Sequence, residues 1–387
     1  MTSKGKKHNK HTKLNRPQLG HFGRNEWAIL GTPCSGIKEL SNVLSNSFSE
    51  SCNVLYVDAD HQGDGEGEVS YNTNMAAVFT DKIESRRIDL LADPNSYQRR
   101  MYFNDQDLIL VNGNHFEAQG QIVVIDPQKA ASLKKRVHWL TNPGLVLLAP
   151  DVAAIPEDLL QAVPELGACP QLSLDDHEAI VSWVHEQVLS AVSPVRGLVL
   201  AGGKSVRMGT DKGLIDLFGV PQREHLAQLV DAFCTETFLS VRSGQEGTDS
   251  LTLPIITDTF IGLGPFGAIL SAFRQEPESA WLAVACDLPL VDNRLLGQLF
   301  AERDPSKLAT AFINPESEFP EPLITIWEPK AYLVLLNFLT QGYSCPRKVL
   351  INSDVKLVEA YDNKALTNVN SPEDLEQVRQ HLQANKT

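Results

Sequence analysis

Short apolar runs bounded by turn residues recur along the whole chain, and most have strand length. In the first half they fall at 27–30, 54–57, 108–111, 122–125 and 145–148. Segments 37–48 and 177–191 place apolar residues three and four apart, the spacing of helices with one buried face. The second half repeats the arrangement, with runs at 198–201, 238–241, 253–256, 281–286, 308–313 and 323–327. Strands that alternate with helices imply right-handed crossovers and mostly parallel sheets covered on both faces. The pattern breaks at 190–196, where a helix ends and Pro194 precedes a fresh first strand. The prediction is α/β: two tandem three-layer α/β/α domains, at 26–190 and 195–387, behind a basic segment at 1–25.

Composition narrows the class. A chain of 387 residues is long for one core, and 42% hydrophobic with 21% charged residues is the balance of a soluble globular protein. No apolar run is long enough for a bilayer, so no membrane span is expected. A net charge of −14 argues against a nucleic-acid partner for the body of the protein. Six cysteines without C-x-x-C spacing fit a reducing cytoplasm better than a disulfide framework or a zinc ribbon. Residues 1–25 run against the average, with Lys4, Lys6, Lys7, Lys10, Lys13, Arg16 and Arg24 and no acidic residue. They read either as a solvated tail or as an electrostatic arm for an acidic partner or anionic ligand. They lack the apolar stretch of a secretory signal.

The richest chemistry begins in mid-chain. The run LVLAGGKSVRMGTDKG at 198–213 carries an apolar strand into Gly202 and Gly203, then a small basic loop with Arg207 and Lys212. Glycines permit close backbone approach, free N–H groups at a strand-to-helix turn cradle phosphate, and the two cations neutralise it. Further on, Asp258 follows LPIIT and precedes the glycine loop of GLGPFGAI, and Asp287 ends the run WLAVAC. Both stand where ligands collect in an open parallel sheet, and such an Asp serves either as a magnesium ligand or as a simple cap. In NVNSPEDL, Ser371, Pro372 and Asp374 have the order of a helix capping box, which leaves Asn368 and Asn370 to be explained otherwise.

Taken in order, LAGG-x3-RMG-x-DK, Asp258 with GPFGAI, CDLP, EPL and NVNSPEDL resemble the molybdenum cofactor guanylyltransferases over about residues 195–385. The resemblance implies a Rossmann-like fold of the nucleotide-diphospho-sugar transferase type. It also implies a Mg²⁺-dependent transfer of GMP from GTP to molybdenum-loaded molybdopterin, with release of pyrophosphate. By the same resemblance, Leu200, Ala201, Gly202 and Gly203 would hold the nucleotide through their backbone. Arg207 and Lys212 would bind phosphates, Asp258 would contact the nucleoside, Asp287 would hold Mg²⁺, and Asn368 and Asn370 would lie on the pterin side. Two positions depart from the family pattern: Ser240 stands where an asparagine contacts the nucleotide, and Glu321 stands where His is usual. The first leaves a cytidylyl-transferring relative open. A transferase acting on another phosphorylated acceptor and a catalytically silent binding protein are the further alternatives.

The first half carries a second glycine loop, GTPCSGIKEL, after the strand at 27–30. Gly31 and Gly36 have the spacing of a phosphate-binding P-loop, but Ile37 takes the lysine position and Lys38 the hydroxyl position. A shift of one residue turns the lysine about 100° around the helix. NTP hydrolysis is not expected there, although a helix N-terminus can still attract an anion. With VDADHQ, MAAVFTDK, DLILVNGNHF and LAPDVAAIP in order, residues 26–190 resemble the GTP-binding adaptor proteins of molybdopterin guanine dinucleotide synthesis. That resemblance implies a degenerate P-loop NTPase fold and a scaffold that docks on the transferase half or helps deliver the cofactor to molybdoenzyme apoproteins. Asp58, Asp60 and His61 read either as remnants of a metal or phosphate site or as polar caps.

Overall fold

The computed structural model describes residues 20–49, 51–59, 77–81, 85–90, 94–202, 212–244, 253–314 and 317–384. Asp60, His61, Gly203, Arg207 and the basic residues before Gly20 lie outside the described residues. Internal contacts divide the chain into two compact units, Met1–Ala191 and Val192–Thr387.

The first unit runs β1 (Glu26–Leu30), α1 (Cys34–Phe48), β2 (Val54–Val57), β3 (Ala77–Asp81), β4 (Arg86–Leu90), α2 (Ser96–Tyr102) and β5 (Leu108–Asn112). It continues through β6 (Gly120–Ile125), α3 (Ala130–Lys135), β7 (Pro143–Leu148), α4 (Glu157–Ala162), β8 (Gln171–Ser173) and α5 (His177–Ser190). Six strands form one parallel sheet in the order β2-β5-β1-β6-β7-β8. Strands β5 and β6 are buried along their whole length, which is why they read as unbroken apolar runs rather than alternating ones. Helix α1 lays Ile37, Leu40, Leu44 and Phe48 on one face of the sheet, against Ile29, Leu110 and Ile122. Leu133, Leu159 and Leu166 cover the other face.

Residues just ahead of β1 are also tied down. The buried Glu26 carboxylate accepts backbone N–H bonds from His21 (2.7 Å), Phe22 (2.7 Å) and Gln119 (2.8 Å). Phe22 is buried with Ile109 and Val111 in a small cluster of its own. The antiparallel hairpin β3–β4 and helices α2 to α4 have no counterpart among the elements predicted above. Each is short or lies on the surface, so none shows a long apolar period.

The second unit runs β9 (Val195–Leu200), α6 (Gln222–Asp231), β10 (Thr237–Val241), β11 (Ile255–Thr257), α7 (Pro265–Gln275) and β12 (Ala280–Ala285). Next come α8 (Asn293–Ala301), β13 (Ala309–Ile313), β14 (Pro320–Trp327), α9 (Ala331–Thr340), α10 (Pro346–Ile351), β15 (Lys356–Val358) and α11 (Pro372–Ala384). Its sheet has the order β11-β10-β9-β12-β14-β13-β15, and β14 alone runs antiparallel to its neighbours. The strand predicted at 253–256 is shorter and later than its apolar run suggested, since Pro254 precedes the pairing residues.

Alternation along β12 builds the layers. Ala280, Leu282 and Val284 face the core made with α6 and α8, while Trp281 and Ala283 face the core made with α7, α9 and α10. Strand β9 is the switch point, with β10 on one side and β12 on the other. In open α/β sheets the crevice beyond the carboxyl end of such a strand is where a ligand binds. Among the described residues no helix is long and apolar enough to cross a membrane.

Candidate active site

Three strand ends of the second unit meet at this crevice. Beyond β9, Gly202 stands so close to the β10 exit that a Cβ there would lie 3.3 Å from Arg242 N and 3.7 Å from Asp258 Oδ2. A bare backbone is needed where the two loops converge. Beyond β11, Asp258 is fixed by its N–H bond to Val241 O (2.9 Å) and accepts the Ser240 hydroxyl at 2.9 Å. Burial raises the Asp258 carboxyl, opposed by the Ser240 hydrogen bond and the Arg242 charge. Gly262 and Gly264 take positive φ (83° and 58°), turns that only glycine makes easily, and Pro265 opens α7.

Beyond β12 stands Asp287. Lys212 Nζ lies 3.7 Å from its Oδ2 and donates to Asn370 Oδ1 at 2.8 Å. Val369 N–H donates to Asp287 O at 2.8 Å, so the NVN segment is clamped to the end of β12. The clamp rests on a capping box: Asp374 accepts from Asn370 N (2.8 Å) and Ser371 N (2.9 Å), and Ser371 Oγ accepts from Asp374 N (3.2 Å). Segments far apart in sequence thus bring Lys212, Asp287 and Asn370 together. Asn368 is partly buried on the same segment, and Asn370 is the one of the pair that Lys212 bonds.

Charge at this edge is finely set. Burial raises the Asp287 carboxyl above the ordinary range, and Lys212 pulls it back. Asp287 Oδ1 is buried with no hydrogen-bond partner among the described residues. A buried carboxylate oxygen left bare is costly, and a hard cation such as Mg²⁺ satisfies it while taking its remaining ligands from water and phosphate. Among the described residues no cluster of three or more His, Cys, Asp or Glu side chains gathers to cage a metal. Glu321, flagged as a departure in sequence, is buried at the start of β14 and paired with Arg347 at 3.1 Å. Its carboxyl is raised by burial first, opposed by Arg347, and raised further by the charge of Asp287. No sequence pattern pointed to Arg347, because the pairing joins a strand to a helix that merely pack together.

The glycine loop of the first unit is built differently. Helix α1 starts at Cys34, earlier than the predicted residue 37, so the turn is only Gly31, Thr32 and Pro33. Pro33 has no N–H to offer a phosphate. Gly31 has φ +97°, and a Cβ there would lie 2.2 Å from Val124 O, so this glycine serves packing between neighbouring strands. Gly36 lies within the first turns of α1, Ile37 is fully buried, and Lys38 points to solvent. The turn is closed from within: Thr32 Oγ1 donates to Asp126 (2.8 Å) and Asn114 Nδ2 donates to Thr32 O (2.9 Å). Asp58 accepts from the Tyr56 hydroxyl and from Asn112 Nδ2, both at 2.8 Å.

Comparison with known proteins places a family match within the second unit. Residues 197–356 match the family described as MobA-like NTP transferase domain. A Synechocystis protein named molybdenum cofactor biosynthesis bifunctional protein is 36% identical over 187 residues, 48% of this chain and 54% of that relative. The chain therefore spans about half the length of that relative. A Nostoc protein named probable molybdenum cofactor guanylyltransferase is 32% identical over 183 residues, 46% of this chain and 87% of the relative. A molybdenum cofactor guanylyltransferase of Shewanella amazonensis is 28% identical over 194 residues, 49% of this chain and 97% of the relative.

Proposed function

The chain belongs to the molybdenum cofactor guanylyltransferase family, and from that premise we propose that its second unit transfers GMP from GTP to molybdenum-loaded molybdopterin. The single observation that carries this reading is the assembly of Lys212, Asp287 and Asn370 at the switch point of the sheet. The acceptor is a phosphate monoester, and one of its oxygens attacks the α-phosphorus of GTP. The new P–O bond joins the two phosphates, the bond to the β-phosphate breaks, and pyrophosphate leaves with its electron pair. The attacking oxygen is already anionic at neutral pH, so no general base is required.

Stabilising charge is the main task for the protein. Leu200, Ala201 and Gly202 offer backbone groups where the loops converge, and Gly203 and Arg207 continue that loop in sequence. Lys212 meets phosphate oxygens with a fixed positive charge that needs no reorganisation. Asp287 would hold Mg²⁺, which supplies further positive charge at the α-phosphate and the leaving group when bound. Asn370, tied to Lys212, faces the acceptor side together with Asn368. Asp258 contacts the nucleoside.

Ser240 favours a second reading for the base. Its hydroxyl is spent on Asp258, so it offers the nucleotide no side-chain amide of the family type. A cytidylyl transfer to the same acceptor follows from that observation. One experiment separates the two: full-length protein, molybdenum-loaded molybdopterin and each of four NTPs, with the dinucleotide product and pyrophosphate measured. GTP is expected to dominate, and equal use of CTP would overturn the guanylyl assignment.

For the first unit the reading is a scaffold without NTP hydrolysis, which assists transfer of the cofactor to molybdoenzyme apoproteins. The buried Ile37 and the internally closed turn support it. Six free thiols suit a reducing cytoplasm.

A further inference from the structure

Glu321 and Arg347 form an ion pair beside Asp287 that the transfer chemistry above does not use. Glu321 is the second residue of β14 and Arg347 the second residue of α10. Strand β14 runs antiparallel to β12, with Val284 opposite Ile324. Carried three residues onward, that register sets Glu321 across from Asp287, and the charge of Asp287 reaches the Glu321 carboxyl. The strand order β11-β10-β9-β12-β14 therefore spreads three carboxylates along one edge: Asp258 past β11, Asp287 past β12 and Glu321 on β14. A nucleotide with its nucleoside at Asp258 and its reacting phosphate at Asp287 leaves the acceptor to the far side, beside Glu321 and Arg347.

The pair is asymmetric. The Glu321 side chain is sealed in the protein, whereas that of Arg347 is 39% exposed. Arg347 Nη2 donates to Glu321 Oε2 at 3.1 Å, and its Nε donates to Pro320 O at 3.2 Å. Among the described residues these bonds engage two of the five guanidinium donors, and the rest of the planar fork suits a phosphate. Stability alone gives little reason for the arrangement, since apolar side chains commonly match or better a buried ion pair. A carboxylate behind a half-exposed arginine fixes the direction of the guanidinium before a ligand arrives.

We propose that Arg347 binds the phosphate of the acceptor, and that Glu321 is a positioning residue holding the guanidinium in place for it. Bidentate contact with the two oxygens that do not attack turns the third towards the α-phosphorus of the nucleotide. This role rests on the proposed transfer reaction and not on which base is transferred.

The test is steady-state transfer by the full-length protein, with molybdenum-loaded molybdopterin and the NTP varied in turn. R347M is expected to raise KM for the acceptor about ten- to a hundredfold, the loss of a charge-assisted contact, and to leave KM for the NTP unchanged. R347K keeps the charge without the fork and should recover only part of that loss. E321Q should raise the same KM by less than R347M, with kcat little affected. Because R347M strands a buried carboxylate, E321L/R347M guards against a folding defect, and it should combine the acceptor KM of R347M with a near-native unfolding midpoint. Unchanged acceptor KM in folded R347M or in the double variant would make the pair structural and overturn the role, with the transfer reaction left standing. A rise confined to KM for the NTP would overturn it too, by moving Arg347 to the nucleotide side. Unchanged KM in E321Q beside a defective R347M would remove the positioning by Glu321. No dinucleotide from the unsubstituted protein with any NTP would overturn the transfer reaction, and this role with it.

Discussion

The two units open alike, and the difference between their first turns is instructive. Each begins with an apolar central strand, β1 or β9, that runs into glycine. After β1 the chain turns within three residues, and the turn is closed by Thr32, Asp126 and Asn114 of the same unit. After β9 the next α-helix among the described residues starts at Gln222, and Lys212 ahead of it bonds Asn370 and pairs with Asp287. Gly31 is glycine because a neighbouring carbonyl would meet its Cβ, whereas Gly202 lies close to Arg242 and Asp258 at the crevice. A glycine after a strand signals close approach, and only its neighbours decide whether protein or ligand does the approaching.

The strongest way to break this comparison is at Asp287. D287N should lower dinucleotide formation by about three orders of magnitude, and K212A by about two, in line with the loss of preorganised charge at a phosphoryl centre. Steady-state assay of pyrophosphate release checks both, and near-normal turnover in D287N would remove Asp287 from the mechanism. The counterpart in the first unit is Ile37, at the position a working P-loop gives to lysine. I37A should destabilise that unit by about 2–5 kcal/mol, the usual result of truncating a fully buried aliphatic side chain. Transfer measured well below the unfolding transition should be unchanged. A large drop in turnover without a loss of stability would mean the first turn takes part in chemistry.

The smallest expected effect lies in the clamp. D374A removes the capping carboxylate and should cost about 1 kcal/mol of stability, with a rise in KM as Asn370 loosens. Hydrogen bonds from Asn370 and Ser371 N–H hold the Asp374 carboxyl below its ordinary value of 3.8. Its contribution is therefore complete above that value and is lost as pH falls through the lowered one. Denaturant melts across the acid range should show this slope in the unsubstituted protein and a flatter one in D374A.

Much of this architecture could be read from the chain. The alternation of apolar runs and helical periods located the main strands of both units, and Ser371, Pro372 and Asp374 announced their capping box. Reading failed where the signal is not local. The β3–β4 hairpin and helices α2 to α4 bury too little for a clear period, and β14 reads like any strand because direction leaves no mark on composition. At the site, Asp287 and Lys212 were visible as types at strand and loop ends, yet their meeting with Asn370 depends on α11 folding back to β12.

By itself, then, the sequence determined the periods, the caps and the glycines, because these depend on side-chain size and backbone freedom within a few residues. Tertiary structure decided which charges face one another, which polar groups are left without partners, and which of the two glycine turns opens onto a crevice. Those outcomes depend on desolvation and on contacts between segments far apart in the chain, which local pattern does not encode.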